Sequence, residues 1–361
     1  MPPKANTARE ERVLSTVRDI IERFGPRLPG SEGERSTAQY LRDRFLKLGL
    51  DVELQPVTLT TQQHLPLILA YGLVVLAAII MARSPAIAAP LAVAGLAAVL
   101  TEANGTPTIS RLLPKRQSYN VIAKITGDSP ARRYIIVVAH LDSARPTMFS
   151  HPRAALIQRQ SFMLALNTAA IIAVLAVLGS LAPLARVWWV AFAAGLYLIF
   201  HITVLVHGSL HLPPSPGAND DASGLAVLVE LPERLRSLKA TEVWLVATCG
   251  HEVGLAGMRA FLNQNLPSRD STGVINLESV GAGGLCLTLS EGYLRRAPVS
   301  RRLLEVAAEV VHTAGLPVQA RHYQNEPTEA SLALSASIPA ISLVGFDRRG
   351  AVPNWHWHSD T

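Results

Sequence analysis

Apolar residues dominate two parts of the chain, and each part contains two long uncharged runs separated by one arginine. The uncharged runs are residues 55–82, 84–101, 161–185 and 187–206, and the separating residues are Arg83 and Arg186. A helix crosses a bilayer core with about 20 apolar residues, so each pair of runs predicts a transmembrane hairpin. Buried helix pairs in a soluble protein are the disfavoured alternative, because four such runs are rare in soluble domains. We therefore expect an integral membrane protein with four transmembrane helices, in hairpins at residues 64–102 and 161–207.

The segments outside the hairpins alternate between strand-like and helix-like patterns. Short apolar or alternating runs predict strands at residues 51–60, 134–139, 243–248, 273–277 and 340–344. Helical periodicity of the apolar positions predicts helices within residues 7–48, 222–238 and 301–314. This alternation is typical of an α/β fold with a mostly parallel central sheet and helices on both faces. One domain would then be assembled from residues 1–63, 103–160 and 208–361.

The composition favours a membrane partner over a nucleic-acid partner. Hydrophobic residues make up 49% of the 361 residues, and charged residues make up 17%, below the usual fraction of about a quarter. The net charge is +6, but the basic residues are scattered and several flank the apolar runs. They therefore favour contact with anionic lipid headgroups, whereas a nucleic-acid surface would require a clustered basic stripe. We expect a lipid bilayer as a partner and no nucleic acid.

Imidazole and carboxylate side chains follow the predicted strands, open the helix after the second hairpin, or lie in the motif Trp-His-Ser-Asp near the end of the sequence. In chain order, these candidate residues are His140, Asp142, Asp220, His251, Glu252, Glu278 and His358. Each motif alone is ambiguous, since His-x-Asp is often a surface pair and Asn-Asp-Asp is often a helix cap. Together they form a set of nitrogen and oxygen donors that suits zinc without any cysteine thiolate. Sites in such sheets form at the carboxyl ends of the strands, where we expect these side chains to meet.

Taken in order, these motifs resemble the di-zinc aminopeptidase family, which also includes glutamate carboxypeptidase and glutaminyl cyclase. The matching motifs are His-Leu-Asp, Ala-Asn-Asp-Asp, His-Glu-Val-Gly, the strand-ending Glu278 and the terminal Trp-His-Ser-Asp. The opening segment GPRLPGSEGERSTAQYLRDRFLKLGLDVE is also similar to the first helices and turn of that family. The resemblance covers about residues 20–60, 118–146 and 216–361, and both hairpins fall in its gaps.

The resemblance implies a site for two zinc ions. His140, Asp220 and Glu278 would hold one ion. Asp220, Glu252 and His358 would hold the second ion, so that Asp220 bridges the two. The family also implies a cis peptide bond after the bridging residue.

The resemblance also gives roles to two residues that are not metal ligands. Asp142 would fix the tautomer of the His140 imidazole. His251 stands where the family has an acidic general base, and this is the main departure from the family pattern. Smaller departures are Glu278, where the family often has aspartate, and the segment Thr328-Glu329-Ala330, to which no role is assigned. Three hypotheses remain: a histidine that works as the base, a histidine that ligates metal, or a protein with weak hydrolytic activity. We favour the first, and on this basis expect the His251→Glu variant to be at least as active as the parent.

The function that the resemblance implies is a membrane-bound zinc-dependent aminopeptidase-like hydrolase, which cleaves peptide substrates with a metal-activated water. The alternative is a membrane scaffold or binding protein with a retained zinc site and little turnover. Glutaminyl cyclisation is less favoured, because that branch of the family usually works with one zinc ion and both sets of ligands are present here. The sequence gives no indication of the oligomeric state.

The order of the ligands constrains the membrane topology. His140 lies between the two hairpins, whereas the other candidate ligands follow the second one. Each hairpin must therefore cross the membrane an even number of times. Basic residues flank the helices on the side of the soluble segments, so the positive-inside rule indicates a cytoplasmic soluble domain.

Overall fold

The computed structural model describes residues 4–127, 129–182, 187–235 and 238–361, so Arg186, expected in the second hairpin turn, lies outside the described residues. The chain divides into two compact units. The first, here called the sheet unit, comprises residues 1–61, 115–144 and 214–361. The second, the helical unit, comprises residues 62–114 and 145–213.

The helices and strands are numbered in chain order. The helices are α1 Lys4–Phe24, α2 Glu32–Lys47, α3 Leu65–Ile80, α4 Pro85–Ala103, α5 Ala155–Leu181, α6 Val187–His211, α7 Ser223–Glu230, α8 Ala256–Gln264, α9 Arg301–Thr313 and α10 Glu329–Ser335. The strands are β1 Asp51–Thr60, β2 Lys115–Ile125, β3 Arg133–His140, β4 Thr241–Thr248, β5 Thr272–Glu278, β6 Gly284–Glu291, β7 Ala297–Pro298, β8 Gln319–His322 and β9 Ala340–Phe346.

All described strands form one sheet in the order β1-β2-β4-β3-β5-β9-β6-β7, with β8 paired to β6. The four central strands, β4, β3, β5 and β9, run parallel. The flanks are antiparallel except for the pair of β6 and β8, since β2 opposes both β1 and β4, and β6 opposes both β9 and β7. The prediction of a mostly parallel sheet is therefore wrong, and the sheet is mixed. The apolar pattern predicts neither β2 nor β6, and the antiparallel pairing enters at these two strands.

Side chains of β3 alternate between two apolar cores, one on each face of the sheet. Val137 and Ala139 pack in a core to which α1, α2 and α7 contribute. Ile136 and Val138 pack in a second core, which includes side chains of α8 and α10. A strand that is covered on both faces reads as a continuous apolar run, which explains the sequence YIIVVA.

A buried carboxylate ties the start of α2 to the sheet. Ser31 caps α2 by accepting the backbone N–H of Glu34 at 3.2 Å. The Glu34 carboxylate in turn accepts the N–H of Gly30, the hydroxyl of Ser118 on β2 and the N–H of Gly250 after β4. Burial raises the pKa of Glu34 to about 8. The N-terminal turn thus supports the loop that follows β4.

The helical unit has an alanine-rich interior. Helix α3 packs against α4 and α6, and α5 also packs against α4 and α6. Small residues such as Ala92, Ala165 and Ala173 are buried, whereas large apolar residues such as Val174 and Phe200 are exposed. Close packing through small residues, with bulky apolar groups outside, is typical of membrane helices.

Three helices of the described part are long and apolar enough to cross a membrane. They are Pro85–Ala103, Ala155–Leu181 and Trp188–His211. Helix α3 is also apolar but has 16 residues, which is shorter than a typical span. The structure therefore gives three candidate spans where the sequence predicts four.

Candidate metal centre

Two of the predicted ligands end neighbouring strands. His140 is the last residue of β3, and Glu278 is the last residue of β5. Because these strands pair in parallel, both side chains leave the sheet at the same edge. Nε2 of His140 lies 3.8 Å from Oε1 of Glu278 and 3.0 Å from Oδ1 of Asp220, which lies on the loop before α7. The structure thus brings these three residues together.

The second group of ligand atoms surrounds His356 rather than the predicted His358. Nε2 of His356 lies 3.1 Å from Oε1 of Glu252 and 3.3 Å from Oδ2 of Asp220. His356 is buried, whereas His358 is exposed and does not join the cluster. The dipeptide Trp-His occurs twice in a row here, so the motif alone could not decide which histidine turns inward.

Three atoms of this cluster fit a bound cation. Oδ2 of Asp220, Oε1 of Glu278 and Nε2 of His356 are buried, and among the described residues none of them makes a hydrogen bond of good geometry, although the first and the third lie 3.3 Å apart. A buried polar atom without a hydrogen bond costs about 1–3 kcal/mol, so these three atoms indicate missing partners. Carboxylate oxygens and imidazole nitrogens are ligands for zinc. Asp220 supplies oxygens to both groups, as a bridging ligand would.

Burial makes the carboxylates of Glu278 and Glu252 costly to ionise. It raises the pKa of Glu278 to about 7 and also raises the pKa of Glu252. Burial opposes protonation of His356, but the nearby carboxylates of Glu252 and Glu326 outweigh it and raise the pKa of this imidazole well above its ordinary value. Bound divalent cations would neutralise the negative charge of these carboxylates in the same way.

Asp142 supports the loop after β4. Its two carboxylate oxygens accept the backbone N–H groups of His251 and Glu252, each at 2.9 Å. Nδ1 of His140 lies 3.0 Å from the Asp142 carbonyl oxygen but 3.7 Å from its carboxylate. A carbonyl can only accept, so a neutral His140 carries its proton on Nδ1 and directs its Nε2 lone pair into the cluster. The main chain of Asp142, rather than the predicted carboxylate, makes this hydrogen bond.

The loop that carries Asp220 is fixed from both sides. The Asp360 carboxylate accepts the backbone N–H groups of Asn219 and Asp220. The Asp221 carboxylate accepts the N–H of His140 at 3.1 Å. The peptide bond between Asp220 and Asp221 is cis, which confirms the cis bond that the family resemblance implies after the bridging residue.

A fully buried arginine, Arg27, connects its own segment to the two segments that carry His140 and Asp220. The guanidinium of Arg27 donates to the carbonyl oxygens of Leu141, Pro216 and Gly217. These carbonyls belong to the segments that carry His140 and Asp220. The opening segment that resembles the family contains Arg27, but sequence reasoning assigned it no role.

His251 lies between the cluster and two further glutamates. Its ring stacks on that of His140, with a centroid distance of 4.1 Å and an interplanar angle of 17°. Nδ1 of His251 lies 3.0 Å from both carboxylate oxygens of Glu329, and Nε2 lies 3.6 Å from Oε1 of Glu326. Burial opposes protonation of His251, but Glu329 and Glu326 outweigh it and raise its pKa well above the ordinary value.

Sequence reasoning assigned neither of these glutamates a role, although the segment that contains Glu329 departs from the family pattern. They lie in the segment Glu-Pro-Thr-Glu at residues 326–329, which follows no predicted strand. Thr328 caps α10, and Glu329 opens that helix. A capping pattern of this kind indicates a helix start and carries no signal for a site.

Comparisons with known proteins agree with this architecture. Residues 204–361, which contain Asp220, Glu252, Glu278 and His356, match the sequence model of peptidase family M28. No curated protein sequence matches the chain at a significant level. The sequence match to family M28 is thus limited to the C-terminal part of the chain, whereas the solved structures below resemble its fold over nearly the whole length.

Three solved structures illustrate the fold. A zinc aminopeptidase from Bacillus subtilis has a TM-score of 0.57 and 15% identity, over 97% of this chain and 89% of that chain. An aminopeptidase from Aneurinibacillus sp. strain AM-1 has a TM-score of 0.53 and 16% identity, with 97% and 88% covered. The glutaminyl cyclase of Tannerella forsythia has a TM-score of 0.52 and 16% identity, with 96% and 90% covered. The fold is thus that of zinc aminopeptidases and glutaminyl cyclases.

Proposed function

We propose that the protein is a zinc-dependent, aminopeptidase-like hydrolase of peptides. The observation that carries this proposal is a set of three buried ligand atoms that make no hydrogen bond of good geometry among the described residues, Oδ2 of Asp220, Oε1 of Glu278 and Nε2 of His356. One zinc ion would be held by His140, Asp220 and Glu278. A second would be held by Asp220, Glu252 and His356, with His356 in the place predicted for His358.

The bound metal would supply Lewis-acid activation of a water molecule and of the scissile carbonyl. His251 is the proposed proton carrier, because its Nε2 faces the ligand cluster while Nδ1 is held by Glu329. A protonated imidazole beside two dications is unfavourable on its own. Two carboxylates, Glu329 at Nδ1 and Glu326 near Nε2, compensate that charge.

We further propose that the helical unit anchors the protein in a lipid bilayer. Helices α4, α5 and α6 have the length and composition of membrane spans, and α3 would complete the fourth crossing. The exposed apolar side chains of these helices support contact with acyl chains. The scattered basic residues that flank the helices favour a cytoplasmic sheet unit.

The test is turnover by the purified full-length protein in detergent, with zinc added or removed by a chelator. The substrates are unblocked aminoacyl anilides, their N-acetylated counterparts and an N-terminal glutaminyl peptide. We expect cleavage of the unblocked anilides only, lost on chelation and restored by zinc. Cyclisation of the glutaminyl peptide without anilide cleavage would replace the hydrolase by a cyclase. Stoichiometric zinc binding without turnover of any substrate would favour the scaffold alternative.

A further inference from the structure

Glu326 is held beside the metal cluster by two neutral hydrogen-bond donors. It lies on the loop between β8 and α10, with 14% of its side chain exposed. Its Oε1 accepts the hydroxyl of Tyr323 at 3.4 Å and the indole N–H of Trp355 at 3.2 Å. The same oxygen lies 3.6 Å from Nε2 of His251. These contacts orient the carboxylate and leave its other oxygen for a different partner.

The other oxygen of Glu326 completes a ring of carboxylates around one nitrogen. Oε2 lies 3.6 Å from Nε2 of His356. Oxygens of Glu252 and Asp220 lie 3.1 and 3.3 Å from the same nitrogen. Neighbouring ligand atoms in a tetrahedral zinc site with bonds of 2.0–2.1 Å are about 3.4 Å apart. The three separations from Nε2 of His356 are therefore within about 0.3 Å of the spacing between ligands that share one zinc ion.

We propose that Glu326 is a fourth protein ligand for the metal ion held by Asp220, Glu252 and His356. This inference rests on the metal centre of the proposed function and adds a ligand to it. Hydrogen bonds to the non-ligating oxygen are typical of metal-bound carboxylates, and Tyr323 and Trp355 provide them.

The two metal positions then differ in what the protein offers. The position at Asp220, Glu252, Glu326 and His356 has four protein ligands, as structural zinc sites have. The position at His140, Asp220 and Glu278 has three, as catalytic zinc sites have, which leaves one coordination place for a small molecule. Substrate chemistry is thereby assigned to the side of the cluster where His140 and His251 stack.

The experiment is a calorimetric zinc titration of the metal-free full-length protein in detergent, as the parent and as Glu326→Gln. Glutamine keeps an oxygen that can accept from Tyr323 and Trp355 but loses the ligating charge. We expect two bound ions in the parent, and in the variant one ion bound at least about tenfold more weakly, since losing even a partner of a ligand costs about 10- to 100-fold. Unchanged affinity for both ions would refute the proposal.

Two control variants make the result specific. Glu309→Gln changes an exposed glutamate of α9 and should leave both affinities unchanged. Glu329→Gln removes a buried charge beside His251 without removing a proposed ligand, so it should weaken zinc binding less than Glu326→Gln does. Circular dichroism of the metal-free variants checks folding, and Glu326→Asp is the second test, because it keeps the charge with a shorter reach. We expect intermediate zinc affinity for it; if both Glu326 variants bind zinc as the parent does, Glu326 is not a ligand.

The titration requires no substrate. If the hydrolase proposal fails while Glu326→Gln weakens zinc binding, the fourth ligand stands. If the protein cleaves peptides while Glu326→Gln binds zinc normally, the hydrolase stands and the fourth ligand does not.

Discussion

Both carboxylate oxygens of Glu329 lie 3.0 Å from Nδ1 of His251. A carboxylate in this position accepts the Nδ1 proton and leaves Nε2 to face the metal cluster. The departure from the family pattern at residue 251 is therefore accompanied by a buried carboxylate on α10. This negative charge lies beside the imidazole and balances the positive charge of its protonated form. The two residues are best understood as one unit.

This pairing reverses what the sequence alone predicts for His251→Glu. The carboxylate introduced by that substitution would stand against the carboxylate of Glu329, and two buried like charges disfavour each other. We expect kcat/KM on unblocked aminoacyl anilides to fall at least about tenfold, and the double variant His251→Glu, Glu329→Gln to recover most of the loss. His251→Gln with Glu329→Gln is the control, since it removes the repulsion without restoring a proton carrier. Equal activity of His251→Glu with and without Glu329→Gln would show that the pair does not act as a unit.

The two terminal histidines provide a matched pair of variants. His356→Ala removes a buried imidazole whose Nε2 lies 3.1 Å from Glu252, whereas His358→Ala removes an exposed one. We expect His356→Ala to bind one zinc ion at least about 100-fold more weakly, and His358→Ala to bind both as the parent does. Metal content after dialysis against zinc at low micromolar concentration measures the difference. A loss confined to His358→Ala would return the ligand to the position that the sequence indicated.

Strand ends could be located from the sequence because buried parallel strands are long apolar runs and the polar residue after each run is conspicuous. His140 and Glu278 were found in this way, and the structure places them side by side. The direction of the flanking strands could not be found, because alternation gives the same pattern in β1 whichever way its neighbour runs. The mixed sheet follows from pairings between segments that are distant along the chain.

The rest of the site depends on contacts that local patterns do not encode. Glu326 and Glu329 reach His251 from a loop and a helix start more than 70 residues away. The choice between His356 and His358 depends on how one terminal loop turns, and Asn354 and His356 both adopt positive φ there. Such turns have no periodicity, so the sequence could name the motif but not the residue.

Arg27 is expected to stabilise the segments that carry His140 and Asp220. Its guanidinium donates to three backbone carbonyls on two segments, a geometry that a lysine ammonium cannot reproduce. A hydrogen bond from a charged group contributes about 1.5–3 kcal/mol. Because lysine can replace only part of the three bonds, Arg27→Lys should destabilise the fold by about 3 kcal/mol. Thermal unfolding of the metal-free protein measures the effect, with exposed Arg301→Lys as the control. Equal melting temperatures for the two variants would contradict this role.

Glu34 makes the stability of the protein depend on pH. Burial raises its pKa in the folded state to about 8 from an ordinary value of 4.5, so the folded protein holds a proton that the unfolded chain releases. The contribution of this group is fully present below pH 4.5, falls as pH rises through the window between 4.5 and about 8, and is absent above it. The slope is at most about 1.4 kcal/mol per pH unit.

Glu34→Gln keeps acceptor and donor atoms in place of the protonated carboxyl and has no proton to lose. We therefore expect chemical unfolding at pH 5, 6.5 and 8 to show a smaller loss of stability in Glu34→Gln than in the parent. A parallel decline in the two proteins would mean that Glu34 is ionised in the folded state and that its hydrogen bonds to Gly30, Ser118 and Gly250 compensate for burial.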